Sequence, residues 1–121
     1  MPQLTVRDML AVTFSGNKIT VDGHNWKAPY PVKAACVSSG RVVLIYSPEA
    51  KVHGGKFHNM EGFTLQGQRL WTAEHPMPET DRGDVYLEFM SVEPLIAWSF
   101  ACFRCTIDPE TGRMLHSEFT K

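Results

Sequence analysis

The sequence predicts an all-β chain, folded as an antiparallel meander of about ten short strands. Three observations predict it. Apolar, β-branched and aromatic residues alternate with polar ones at a period of two along most of the chain. Turn-forming residues recur at close intervals, leaving connections so short that only antiparallel neighbours can use them. Helical periodicity is almost absent: Thr5–Ala11, with Thr5 as a cap and Asp8 three residues on, is one short turn that only packing would stabilise.

Taken in order, strands are expected at Leu10–Phe14 and Lys18–Val21, joined through Ser15-Gly16-Asn17. Together they form an N-terminal hairpin. The segment His24-Asn-Trp-Lys-Ala-Pro-Tyr-Pro31 lacks strand periodicity. Lys33–Ser38 and Arg41–Ser47 follow, joined through Ser39-Gly40, then Glu61–Gln66 and Arg69–Glu74. Val85–Ser91, Leu95–Phe100, Phe103–Asp108 and Arg113–Phe119 complete the series. The sharpest local signal is Asp108-Pro-Glu-Thr-Gly112. Proline after aspartate presets a type I turn, and the glycine supplies the positive φ that closes the hairpin.

An internal repeat groups these strands. Val85–Ser91 echoes Val32–Ser38, and Leu95–Ser99 echoes Val43–Ser47. Cys105–Asp108 echoes Phe63–Gln66, and Thr111–Glu118 echoes Gly67–Glu74, at an offset shorter by about ten residues. The extra residues therefore fall between Ser47 and Phe63. One domain over 1–121 is expected, with four-stranded units at about 32–75 and 85–121. Ile107-Asp-Pro-Glu-Thr-Gly-Arg-Met-Leu115, and more loosely Phe63-Thr-Leu-Gln-Gly-Gln-Arg-Leu-Trp71, resemble the outer hairpin of a β-propeller blade of the pyrroloquinoline-quinone type. The resemblance implies two propeller-blade-like units after the N-terminal hairpin. It does not carry over the cofactor, because a closed ring needs about four to eight blades. No cofactor is expected. Blades left unstacked have apolar faces that the N-terminal segment, another copy of the chain or a partner must cover, and a blade-like stack or flattened barrel that self-associates into a homo-oligomer is expected.

Composition bounds the function. The chain has 121 residues, 43% apolar and 21% charged, with a net charge of −1, which is enough apolar content for a folded domain. Nothing approaches the roughly 20 apolar residues of a membrane span, and the first residues lack the pattern of a signal peptide. With three cysteines, an odd number, a reducing cytoplasm is the expected compartment. Nucleic acid is not favoured as a partner, because the cations are scattered. The near-zero charge nonetheless hides an asymmetry. Residues 1–57 hold seven Lys and Arg against three Asp and Glu, whereas residues 58–121 hold five against ten.

Candidate sites follow from these patterns. Glu79, Asp81, Asp84, Glu88 and Glu93 form an acidic run opposed only by Arg82, either a solvated face or a patch that steers a basic protein partner. Trp26 and Tyr30 either pack over a sheet end or serve as exposed interface anchors. His53-Gly-Gly-Lys56-Phe-His58 is a long loop that could contact a partner. Cys102-Phe-Arg-Cys105 is a lone CxxC without the second ligand pair a zinc site needs; it is expected to be structural, with metal as the weaker use. Trp71, Trp98, Phe89 and Tyr46 are assigned to the core. No nucleotide, hydrolase or metalloprotease motif is present. The leading expectation is a non-enzymatic protein-binding module, of the kind found in inhibitors and immunity proteins that neutralise a basic toxin. One alternative is a small-ligand or metal-assisted enzyme using His53, His58, His116 or the cysteine pair, and another is a structural assembly subunit.

Overall fold

The computed structural model describes residues 11–50, 57–76 and 83–120, and within them every strand is antiparallel to its neighbours. The first sheet holds β1 (Val12–Ser15), β2 (Lys18–Val21) and β3 (His24–Lys27). The second holds β4 (Val32–Ser38), β5 (Arg41–Tyr46), β6 (Met60–Phe63) and β7 (Arg69–Thr72). The third holds β8 (Tyr86–Val92), β9 (Leu95–Ser99), β10 (Phe103–Ile107) and β11 (Met114–Phe119). Each sheet is a meander of consecutive strands. The N-terminal unit is thus three-stranded rather than a hairpin: His24–Lys27 pairs with Lys18–Val21 residue by residue. The Asp22-Gly23 turn that joins them has φ of 49° and 81°, the two positive values a two-residue type I′ hairpin requires. Residues 5–10 of the expected helical turn lie outside the described residues.

The sheets stack in sequence order. Ile19 and Val21 of the first sheet bury against Val32, Val42, Leu44, Tyr46 and Phe63 of the second. The other face of the second sheet, with Cys36, Val43, Ile45, Met60, Trp71 and Ala73, packs on Tyr86, Leu95, Ala97, Cys105 and Ile107 of the third. The second sheet is therefore covered on both sides, which is why Val42–Tyr46 reads as an unbroken apolar run with every residue buried.

Two indoles fasten the layers. Trp26 of β3 donates from Nε1 to the carbonyl of Leu65 in the β6–β7 connection, 3.1 Å away, and its ring covers Gly67. Trp71 of β7 donates to the carbonyl of Pro109 in the β10–β11 turn at 2.9 Å and covers Gly112. The turn itself is built as its residues predict: Asp108 accepts from the Glu110 amide through its side chain and from Gly112 through its carbonyl, and Gly112 has φ 78°. The interval from Trp26 to Trp71 recurs from Trp71 to His116, on the outer strand of the third sheet.

Asn59 adds a polar tie. Its side-chain amide donates to the carbonyls of Tyr46 and Tyr86, and its oxygen accepts from the Tyr86 amide. Glu61, also buried, accepts from the Tyr46 hydroxyl at 2.7 Å and from Thr72, with Arg69 at 3.5 Å. The charge is thus hydrogen-bonded on both oxygens, as a buried carboxylate requires.

Candidate interaction surface

The two ends of the stack differ. In the first sheet, register sets Thr13 beside Thr20 and Asn25, and Ser15 beside Lys18 and Lys27. Cross-strand partners share a face, so this outer face carries six polar side chains and no large apolar one. The N-terminal strands thus cover one apolar face of the first four-stranded unit and turn a polar face outward. A terminal repeat with a polar outer face protects its own core.

The outer face of the third sheet is different. One cross-strand row runs Glu88, Trp98, Arg104, Glu118, and a second runs Ser91, Ile96, Thr106, His116. Ala97 and Cys105, which alternate with these residues, point into the core. Trp98 thus faces away from the interior to which the sequence pattern assigned it. Trp71 and Tyr46 are buried, and half-buried Phe89 packs against the core. The Trp98 Nε1–H is buried without a hydrogen-bond partner among the described residues. Around the Trp98–Ile96 pair stand Glu88, Arg104, His116 and Glu118, all exposed, with Arg104 3.6 Å from Glu118. Elsewhere on this sheet Met90, Val92, Leu115 and Phe119 are exposed, as is Phe100 in the following turn.

The described members of the predicted acidic run differ in exposure. Asp84 is 5% exposed; its Oδ1 accepts the amides of Val85 and Ala101 at 2.8 and 3.0 Å and pins the β9–β10 turn to the start of β8. Burial and backbone bonding make Asp84 a structural acceptor. Glu88 and Glu93 are exposed, while Glu79 and Asp81 lie outside the described residues.

Other candidates are distributed rather than convergent. Trp26 and Tyr30 are half-buried inside the molecule, Trp26 against Phe63 and Tyr30 against Tyr46 and Phe57. They pack over the second sheet. His53 and Lys56 lie outside the described residues. His58 is exposed and stacks edge-on to buried His75 with centroids 5.6 Å apart, and its Nδ1 is 3.2 Å from the Ala73 carbonyl. Cys102 sits in the β9–β10 turn with φ 72°, and Cys105 is buried mid-strand; both are free thiols. Burial pushes the Cys105 thiol up to about 11 and the Cys36 thiol up to about 12, the reverse of an activated nucleophile. Among the described residues no three His, Cys, Asp or Glu side chains are grouped to hold a metal ion. No helix among them is long and apolar enough to cross a membrane.

A groove of about 280 Å³ opens between the β4–β5 and β8–β9 turns, lined by Ser38, Val92, Pro94, Leu95, Ile107 and Leu115 among others. Glu93 is its one ionisable lining residue, which leaves no acid–base pair there for catalysis. Sequence reasoning missed the outward Trp98 row; the signal was the alternation of Ile96 and Trp98 with Ala97, legible once the inward face is known.

Residues 9–119 match the family model described as a domain of unknown function (DUF7957), and the chain belongs to that family. No curated protein matches the chain.

Proposed function

We propose that this DUF7957 chain is a non-enzymatic protein-binding module whose docking surface is the outer face of the third sheet. The observation that carries this is the contrast between the two ends of the stack. One outer face is wholly polar, whereas the other carries half-buried Trp98 beside buried Ile96, surrounded by the exposed Glu88, Arg104, His116 and Glu118. An aromatic centre with a charged rim is the composition of an interface hot spot. Glu88 and Glu118 outnumber Arg104, so the face suits a basic partner surface, of which the target of an inhibitor or immunity-type protein is one case. The reading takes no support from the cysteine pair or from His58.

The test is affinity capture from the native host with wild-type chain and with a Glu88→Lys/Arg104→Glu variant, read by mass spectrometry. Both positions are exposed, so the variant is expected to fold. Proteins held by the wild type and lost by the variant support the docking surface; identical captures from both overturn it.

A further inference from the structure

We infer that the occupant of this face is a second copy of the chain, docked head to tail so that its first sheet continues the stack beyond the third. The inference rests on the docking reading above and names its partner. Within the chain, each sheet engages the next in the same sense. Trp26 of the first sheet donates to a carbonyl in a hairpin of the second, and Trp71 of the second donates to one in a hairpin of the third. Among the described residues no sheet follows the third: the Nε1–H of its indole, Trp98, meets no acceptor there, and the position corresponding to Trp26 and Trp71 is the exposed His116. A further layer added in the same direction is the first sheet of another copy.

Charge selects this layer over a face-to-face arrangement. The outer face of the first sheet presents Lys18 and Lys27, neighbours in register and both exposed. The outer face of the third presents Glu88 and Glu118, also exposed. Third sheet on third sheet opposes two faces on which Glu88 and Glu118 outnumber Arg104, whereas first on third brings ammonium groups to the carboxylates. The stack arithmetic agrees. Heterologous contacts close into a ring when the rotation permits, and closed rings of stacked sheets hold about four to eight layers. With three sheets among the described residues of each copy, two copies fall within the range.

Sedimentation equilibrium of the purified chain, whose monomer mass is 13.6 kDa, tests this. The wild type is expected at twice that mass. Lys18→Glu/Lys27→Glu and Glu88→Lys/Glu118→Lys are each expected to be folded monomers by circular dichroism. Mixed in equal amounts, they regain the dimer, because both interfaces of the mixed ring then pair opposite charges. A monomeric wild type overturns the inference. So does a wild-type dimer that the lysine variant leaves intact while the glutamate variant breaks it, which is face-to-face association. Either result leaves the docking surface itself to the capture experiment.

Discussion

Trp71 and Gly112 are in contact so close that a Cβ at position 112 would lie 2.5 Å from the indole Cε3. The glycine belongs to the third sheet and the tryptophan to the second, so the pair is a joint between layers. Gly62 lies against the same ring, where a Cβ would sit 2.2 Å from Cε2. Gly112→Ala is expected to lose at least about 2 kcal/mol, since it adds both the clash and an unfavourable positive φ. Trp71→Phe keeps an aromatic ring but forfeits the bond to Pro109, at about 1–3 kcal/mol. Urea unfolding measures both, and a double-mutant cycle is expected to show coupling between the two sites.

Asn59 supplies the hydrogen bonds that β8 lacks at Tyr86. Replacing it with leucine leaves three backbone groups of Tyr46 and Tyr86 buried without partners. A loss of about 2–4 kcal/mol is expected in the same unfolding experiment, and Asn59→Asp, which keeps the acceptor but not the donors, is also destabilising. A change below about 0.5 kcal/mol is incompatible with this role.

Asp84 is expected to matter for stability rather than for partner charge. Asp84→Ala orphans the amides of Val85 and Ala101 and costs about 1–3 kcal/mol. Asp84→Asn keeps an acceptor oxygen and is expected to lose less. Equal losses from the two variants, by thermal or urea unfolding, contradict the assignment.

Alkaline pH is expected to weaken the fold. Burial raises the Cys36 thiol from 9.0 to about 12 and the Cys105 thiol from 9.0 to about 11, and it raises the phenols of Tyr46 and Tyr86 above the usual tyrosine range. In each case the unfolded chain ionises first. These groups' contribution is therefore fully present below about pH 9 and declines as pH rises toward the folded values. Unfolding followed from pH 7 to 11 is expected to show a level region and then a fall, made shallower by Cys36→Ala/Cys105→Ala. At pH 8, thiol reagents are expected to reach Cys102 well before Cys36 and Cys105, which react only on unfolding.

Much of the layered architecture was legible because strand and turn signals are local. Asp108-Pro-Glu-Thr-Gly112 specified its turn without help from the rest of the chain, and Ser39-Gly40 specified its own through two positive φ values. β3 was obscured because His24-Asn-Trp-Lys places an aromatic among polar residues on an edge strand. The Asp22-Gly23 dipeptide before it was the better guide. Trp98 and Asp84 were misplaced for a different reason. Which face of a strand points inward, and whether a carboxylate caps a turn, depend on strands distant in sequence. Val42–Tyr46 gave no alternation to read at all, because both of its faces are interior.

Because every described strand pairs only with its neighbours in sequence, whole layers are the natural unit of change for this chain. A duplication or loss spanning one sheet would leave each remaining ladder and register as it was. The joints at the new boundary, such as the indole and asparagine hydrogen bonds and the packed apolar faces, would need to be matched. Length variation in such a chain is expected to come in increments of one sheet, and the exposed end layers are where an increment can be accepted.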